Sequence, residues 1–211
     1  MLRNPILIAG PPRSGTSMLA GLLAHHGVWV GDTIPADEGN QKGYYENIAI
    51  VEVTKLLLKK NGYRPKTVPP FPAKLEDIGL KQKLSSIVPH NTRWLYKDSK
   101  LLLMYPLWRT VFKSALWVLP ERGVMKIVDS MLRHPVWKRR ASRHDKDWLY
   151  GIVNACRQRQ EEIARNEKHI WTDSHLVITH EHEAEAFVRE CDLEFDHDTW
   201  NEWVDRTLWN G

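Results

Sequence analysis

The chain has 211 residues, of which 42% are apolar and 27% are charged. This composition is that of an ordinary soluble globular protein, and it predicts one domain over residues 1–211 with a sizeable core. No apolar run approaches the roughly 18 residues of a membrane span, and the N-terminal apolar run is too short for a signal peptide. A membrane-spanning chain is therefore excluded, and we expect a cytoplasmic protein.

Positive charge is concentrated in one segment of the chain. The formal net charge is only +4, yet residues 133–146 carry six Lys or Arg side chains and one carboxylate, Asp145. A local concentration of this kind indicates a site for one anionic ligand more than a track for nucleic acid. We therefore expect no nucleic-acid partner.

The two cysteines, Cys156 and Cys191, lie far apart and in no spacing typical of a metal or redox site. A reducing compartment fits this usage, whereas a disulfide framework does not. We expect two free thiols and no metal site.

Short apolar runs alternate with helical patterns along the chain. Buried strands are predicted over residues 6–9, 93–96, 115–119 and 169–172. Helices are predicted from Thr16 with Ser14, Thr16 or Ser17 as N-cap, over 48–60 with Asn47 as N-cap, and over 74–88, 106–112, 124–132, 147–166, 179–191 and 199–209. Polar or proline-rich connections are predicted over 26–47 and 65–72. The alternation predicts an α/β fold with a parallel sheet flanked by helices, and a ligand site at the carboxyl ends of the strands.

A phosphate-binding turn follows the first predicted strand. Gly10 and Gly15 have the spacing of a Walker A loop, and the helical pattern begins at Thr16. Amides of such a loop and the first free N–H groups of the helix converge on an anion. An NTPase has Lys where this chain has Thr16, and the cation here is Arg13, inside the loop. This arrangement favours a ligand with a 5′-phosphate and another terminal group over a nucleoside triphosphate with magnesium.

The run from Pro12 to Ser17, PRSGTS, resembles the 5′-phosphosulfate loop of sulfotransferases that use 3′-phosphoadenosine 5′-phosphosulfate (PAPS). The resemblance implies a P-loop NTPase-like sulfotransferase fold, with PAPS as donor and adenosine 3′,5′-bisphosphate as product. The residues that it assigns to the donor's 5′ end are Pro12, Arg13, Ser14, Gly15, Thr16 and Ser17.

A second match follows the third predicted strand. Arg122 stands at the end of that strand, and Ser130 comes eight residues later on the next predicted helix. A guanidinium fork and a hydroxyl suit a phosphate, and the pair resembles the 3′-phosphate motif of the same sulfotransferases. The Arg-Lys-Gly clamp that cytosolic sulfotransferases carry near the C terminus is missing. We expect Arg133 or the basic cluster 138–143 to close over the nucleotide instead.

Two further runs resemble bacterial-type and tyrosylprotein-type sulfotransferases. Residues 97–101, KDSKL, are similar to their Lys-Asp-Pro-Arg-Leu run with the proline and arginine replaced, and residues 39–47 are similar to the acceptor-side loop of bacterial members. The function that this resemblance implies is transfer of a sulfuryl group from PAPS to an acceptor hydroxyl or amine by in-line displacement. Arg13 and Lys97 would then face the leaving oxygen.

A hydroxyl acceptor also needs a general base. Relatives with an arginine-containing loop use a glutamate after the first helix, where this chain offers Asp37, Glu38 and Glu46. Glu46 is the preferred candidate because it lies in the matched run, next to a helix start, although an acid there could equally complement the helix dipole. Asp98 is an alternative base or an orienting partner for Lys97.

Two other functions stay open at this point. A non-catalytic nucleotide-binding relative fits the short chain and the altered 97–100 run, and a P-loop kinase is disfavoured by Thr16. The compact chain leaves little room for a large acceptor domain, which favours a small molecule, a glycan or a lipid headgroup as acceptor.

Overall fold

Four parallel strands form one sheet in the computed structural model, which describes residues 2–63, 71, 72, 74–142 and 146–204. The strands are β1 (Ile6–Ile8), β2 (Leu95–Lys97), β3 (Leu116–Glu121) and β4 (His169–Asp173). Their order across the sheet is β2-β1-β3-β4, so β1 and β3 are the two central strands. Ile6 is in register with Leu95 on one side and with Leu116 on the other. The predicted α/β fold with a parallel sheet is confirmed.

Helices cover both faces of this sheet. Within the described ranges they are α1 (Thr16–His25), α2 (Ile48–Lys60), α3 (Leu80–Ser85), α4 (Leu101–Val111), α5 (Val124–Arg133), α6 (Pro135–Ala141), α7 (Lys146–Asn166), α8 (Ser174–Thr179), α9 (Glu181–Glu190) and α10 (His197–Trp203). None of them is long and apolar enough to cross a membrane.

The core is divided by the sheet because successive side chains of a strand point to opposite faces. Ile6 and Ile8 of β1 pack in one cluster with α1, α9 and α10, whereas Leu7 packs in the other with α2 and α4. All three residues are 2% exposed or less. A strand buried on both faces explains the unbroken apolar run at the start of the sequence.

The helices α1 and α2 begin where they are predicted to begin, but only one of the two predicted caps is present. Asn47 caps α2 as expected, since its Oδ1 accepts from the N–H of Ile50 at 2.9 Å. The residue before α1 is instead Gly15, in a left-handed conformation with no side-chain cap, so none of the three predicted hydroxyl caps is used.

Several helix boundaries differ from the predictions. The helix predicted from residue 74 begins only at Leu80, because Asp77 Oδ1 accepts from the N–H groups of Gly79 and Leu80 and makes a turn first. The helix predicted to open at Pro106 begins at Leu101 and contains Pro106 in its interior.

The C-terminal predictions also change. The helix predicted over 179–191 corresponds to α9, which begins after extended backbone at His180, and the short helix α8 before it was not predicted. The last helix begins earlier than predicted, at His197, because Asp196 caps it through the N–H of Thr199 at 2.7 Å. Part of the predicted 199–209 helix lies outside the described residues, as do most of the 65–72 connection and residues 143–145 of the basic segment. The part of the basic segment that the structure describes before residue 143 contains helix α6.

Helix α10 is packed directly on α1 through one glycine. A Cβ atom at Gly21 would lie 2.2 Å from Cζ2 of Trp203, whereas a Cβ at Gly151, also inside a helix, would meet nothing within 4 Å. We predict that Gly21→Ala lowers the free energy of unfolding by about 1–3 kcal/mol through overpacking. The matched variant Gly151→Ala should raise it by ~0.5–1 kcal/mol through helix propensity. Urea denaturation measures both, and equal effects of the two substitutions would contradict the packing.

Candidate active site

The loop between β1 and α1 requires glycine at both of its ends. A Cβ at Gly10 would lie 2.5 Å from Cγ of Pro120 and 2.7 Å from Oγ of Ser14, so the chain can pass this point only without a side chain. Gly15 has a φ of 93°, a left-handed conformation that glycine adopts without strain. The loop therefore stays close to β3 and ends where the free amides of α1 begin.

Ser14 holds this loop together from within. Its side chain is fully buried, and its Oγ donates to the carbonyl oxygen of Pro11 at 2.7 Å. Ser14, predicted to bind the donor, thus does not line the open cleft and has a place inside the loop.

A cleft of about 670 Å³ opens at the carboxyl ends of β1, β2 and β3. The residues predicted for the site that line it are Pro12, Arg13, Gly15, Thr16, Ser17, Glu38, Glu46, Lys97, Arg122, Ser130 and Arg133. Segments more than 100 residues apart in sequence therefore meet in one place.

Arg13 joins the loop to the opposite wall of the cleft. Its backbone is left-handed, with a φ of 69°, and its Nε donates to Oγ of Ser130 at 3.2 Å. Arg122 reaches back from the end of β3 and donates from Nη1 to the carbonyl oxygen of Arg13 at 2.9 Å. The two predicted phosphate-binding segments are thus in direct contact.

Positive charge is crowded at this wall. Burial lowers the pKa of the Arg13 guanidinium, and the nearby charge of Arg133 lowers it further. Burial also lowers the pKa of Arg122, and repulsion from the charges of Arg13 and Arg133 lowers it further. Groups that repel one another in a partly desolvated cleft are stabilised by an anion, so this wall is suited to a phosphate or sulfate group.

The other side of the cleft holds an ion pair. Lys97 Nζ lies 2.9 Å from Oε1 of Glu46 and 3.0 Å from the carbonyl oxygen of Tyr44. Burial raises the pKa of the Glu46 carboxyl, and the charge of Asp98 raises it further, while Lys97 opposes both. Two of the predicted catalytic side chains are thus in contact, and one of them holds its proton more tightly than an ordinary glutamate.

Asp98 does not line the cleft. It is fully buried, where its Oδ2 accepts from the hydroxyl of Tyr96 at 2.9 Å and its Oδ1 accepts from Nζ of Lys100 at 2.7 Å. The expectation that Asp98 orients Lys97 is therefore corrected, because its lysine partner is Lys100 and the partner of Lys97 is Glu46. The turn after β2 also explains the early start of α4, since Asp98 Oδ1 accepts from the N–H of Lys100 at 2.8 Å.

Residues 37–43, which we call the strap loop, pass along the rim of the cleft. Asp37 organises the loop, because its carboxylate accepts from the N–H groups of Gly39 and Asn40 and from the hydroxyl of Tyr44. The Tyr44 hydrogen bond lowers the pKa of Asp37, which is not at the cleft surface. Arg13 donates from Nη1 to the carbonyl oxygen of Gly39 at 3.0 Å, so the strap loop touches the phosphate-binding wall. Glu38 is exposed at the same rim.

Several cleft residues were not predicted from the sequence. His134 Nε2 lies 2.5 Å from the place where a Cβ at Gly39 would lie, so a side chain at this position would have to displace the imidazole ring. Burial and the charge of Arg13 lower the pKa of His134. Lys42 lies over the ring of Trp203, with Nζ 4.5 Å from the ring centre, and donates to the Trp203 carbonyl. No local sequence pattern indicates these contacts, because each joins residues distant in the chain.

No family model and no curated protein sequence matches the chain. Among solved structures, sulfotransferase STF9 from Mycobacterium avium superposes with a TM-score of 0.56 at 11% identity, over 96% of this chain and 67% of that one. The sulfotransferase domain from the curacin biosynthetic pathway gives a TM-score of 0.56 at 10% identity, over 94% of this chain and 77% of the domain.

The chain has the sulfotransferase fold. At such low identity the likeness is one of fold, and the activity must be argued from the cleft itself.

The contact between Lys97 and Glu46 predicts how the pKa of Glu46 depends on the charge of Lys97. We predict that Lys97→Met raises the pKa of Glu46 further, because it removes the cation that opposes burial. The folded state would then bind this proton more tightly than the unfolded state, so the variant should lose stability as pH rises from the ordinary glutamate pKa to the folded value. Carboxyl ¹³C NMR against pH measures the pKa, with Glu46→Gln identifying the signal. Lys55→Met, which breaks the exposed pair with Glu52, is the matched control, and an unchanged or lowered pKa in Lys97→Met would contradict the assignment.

Proposed function

We propose that this protein is a sulfotransferase that moves a sulfuryl group from PAPS to an acceptor hydroxyl or amine. The observation that carries the proposal is the contact of Arg13 with Ser130 and of Arg122 with the Arg13 carbonyl, at the carboxyl ends of the central strands. It brings together two segments that are each suited to a phosphate, as a donor with a 5′-phosphosulfate and a 3′-phosphate requires.

The residues present fit such a donor. The amides at the start of α1 and the Arg13 side chain would hold the 5′ end, because a helix N-terminus and a guanidinium both favour an anion. Arg122, Ser130 and Arg133 would hold the 3′-phosphate. The fit is supported by the mutual repulsion of the three arginines, which a ligand with two anionic ends relieves.

Catalysis in this proposal consists mainly of positioning and charge stabilisation. The bound donor would supply the activated sulfuryl group and its phosphate leaving group. Arg13 and Lys97, on two neighbouring strand ends, would stabilise the negative charge that develops on the leaving oxygen. Burial of Lys97, which is 4% exposed, strengthens that interaction by excluding water.

Glu46 is the general base that the geometry favours among the carboxylates considered. It lines the cleft, and its raised pKa brings it closer to the neutral range in which a base accepts a proton efficiently. Lys97 holds the carboxylate in one orientation. Asp98 faces Lys100 and Tyr96 inside the protein, and Glu38 is exposed at the rim, so both are weaker candidates.

The acceptor in this proposal is a small molecule, a glycan or a lipid headgroup. The cleft is bounded by the strap loop and by Trp203, which leaves a compact space beside Glu46. Three of the basic side chains that line it, Arg13, Arg122 and Arg133, are assigned to the two anionic ends of the donor, so no nucleic-acid partner is proposed.

Calorimetric titration separates this function from the alternatives. Tight binding of adenosine 3′,5′-bisphosphate without metal is the expected result, and preference for ATP with magnesium would favour a kinase instead. A transfer assay with ³⁵S-labelled PAPS against a panel of hydroxyl and amine acceptors then separates an enzyme from a non-catalytic relative, which would bind the bisphosphate and transfer nothing.

We predict that Arg13→Ala and Arg122→Ala each weaken bisphosphate binding by about 30-fold or more, because each removes a partly buried charge-assisted contact to an anionic group. Arg109→Ala is the matched control, since Arg109 pairs with Glu167 outside the cleft at 3.0 Å. Calorimetry measures all three. Unchanged affinity for the bisphosphate in both cleft variants would contradict the assignment of the site.

We predict that Glu46→Gln lowers kcat by ~10²–10⁴-fold while the bisphosphate still binds, because the amide cannot accept the acceptor's proton. The wild-type rate should rise with pH as Glu46 loses its proton, with a midpoint above the ordinary glutamate pKa, and this dependence should disappear in the variant. Glu38→Gln is the comparison variant. A larger loss of kcat in Glu38→Gln than in Glu46→Gln would reassign the base.

A further inference from the structure

The hydrogen-bonded pairing of β1 with β3 ends where the next two backbone N–H donors, one on each strand's side, are missing. The last bond of this ladder runs from the N–H of Ala9 to the carbonyl of Val118 at 3.0 Å. In a parallel ladder the next two donors would be the N–H of residue 120, to the carbonyl of Ala9, and the N–H of residue 11, to the carbonyl of residue 120. Residues 11 and 120 are both proline and have no N–H. Two carbonyl groups, those of Ala9 and Pro120, are thus left without their ladder partners.

The side chain of Gln160 supplies both missing donors. Gln160 lies on α7 and is 1% exposed, and its Nε2 is 3.1 Å from the carbonyl oxygen of Ala9 and 3.2 Å from that of Pro120. A primary amide has two N–H groups, and both neighbours are acceptors, so the orientation of the amide is determined. One side chain therefore replaces the two backbone donors that the prolines lack.

A second buried donor acts on the other end of the same loop. Ser174, the first residue of α8 and fully buried, donates from Oγ to the carbonyl of Ser14 at 3.0 Å. In a trans peptide the carbonyl of one residue and the N–H of the next point in opposite directions. The hydrogen bond to the carbonyl of Ser14 thus fixes the direction of the N–H of Gly15, a residue that lines the cleft. In the same way, the hydrogen bond to the carbonyl of Ala9 fixes the direction of the N–H of Gly10.

We propose that Gln160 and Ser174 are positioning residues of the anion-binding loop. They hold its carbonyl groups in one orientation, so that the loop amides are arranged for the anion before it binds. The claim that Gln160 and Ser174 order the loop depends only on these hydrogen bonds. The further claim, that an ordered loop binds the donor more tightly, rests on the proposed function.

Hydrogen exchange of the free protein tests the ordering directly. We expect Gln160→Met, which keeps the length of the side chain and removes its donors, to speed exchange of the amides in residues 9–18 by about tenfold. Arg159→Met is the matched control, because Arg159 is its buried neighbour on α7 and donates instead to the carbonyl of Pro72 at 2.9 Å. Ser174→Ala, a smaller change, serves if Gln160→Met does not fold. Unchanged exchange in the 9–18 segment would overturn the proposal.

A rescue variant separates positioning from a general loss of stability. Pro120→Ala restores the N–H that the ladder lacks, so adding it to Gln160→Met should recover part of the slow exchange, since one of the two lost donors returns. Faster exchange in Gln160→Met that Pro120→Ala leaves unchanged would show that the missing donors are not the cause.

Binding of adenosine 3′,5′-bisphosphate provides the last readout. We expect affinity about tenfold weaker in Gln160→Met and in Ser174→Ala, and wild-type affinity in Arg159→Met. Faster exchange with unchanged affinity would overturn the link between loop order and the donor. If the wild-type protein binds no bisphosphate, the proposed function fails, while the exchange data still decide whether Gln160 orders the loop.

Discussion

Repulsion among Arg13, Arg122 and Arg133 is the constraint on which the cleft depends. Three guanidinium groups at one sheet edge repel one another, and hydrogen bonds of Arg13 and Arg122 to neutral acceptors offset part of this cost. Arg13 donates to Ser130 and to the carbonyl of Gly39, and Arg122 donates to the carbonyl of Arg13. The Asp173 carboxylate offsets part of the charge of Arg122. The acceptors of Arg13 carry no charge, so positive potential remains on this wall for a ligand. The Lys97–Glu46 pair on the other side of the cleft joins a cation to a carboxylate and adds little net charge to the site.

The sequence was sufficient for the fold class because the informative signals are local. The apolar run of β1, the glycine spacing after it, the cap of α2 and the periodicity of α2 and α5 each depend on a few neighbouring residues. Arg122 and Ser130 could be placed together because a strand end and the following helix are also close in sequence. The roles assigned to these residues are still predictions, although their convergence on one cleft is what those roles require.

Features that depend on distant contacts could not be predicted. Pro106 is a strong local signal for a helix start, yet the buried apolar residues from Leu101 onward make the helix begin earlier. The lysine partner of Asp98 could not be chosen from a run that holds both Lys97 and Lys100. Trp203 becomes a cleft residue only because α10 packs on Gly21, a contact that joins the two ends of the chain.

The loop at residues 10–15 is synthesised well before the side chains that complete it. Its carbonyl groups are held by side chains 151 and 160 residues further along, on α7 and α8. While the ribosome is still translating the middle of the chain, β1 has no partner strand and the loop has none of these donors. Contacts of such long range slow folding, and β1 stays exposed to other chains until β2 and β3 can pair with it. A nascent chain of this fold thus needs protection at β1 until β2 and β3 have emerged, and its loop stays incomplete until α7 and α8 follow.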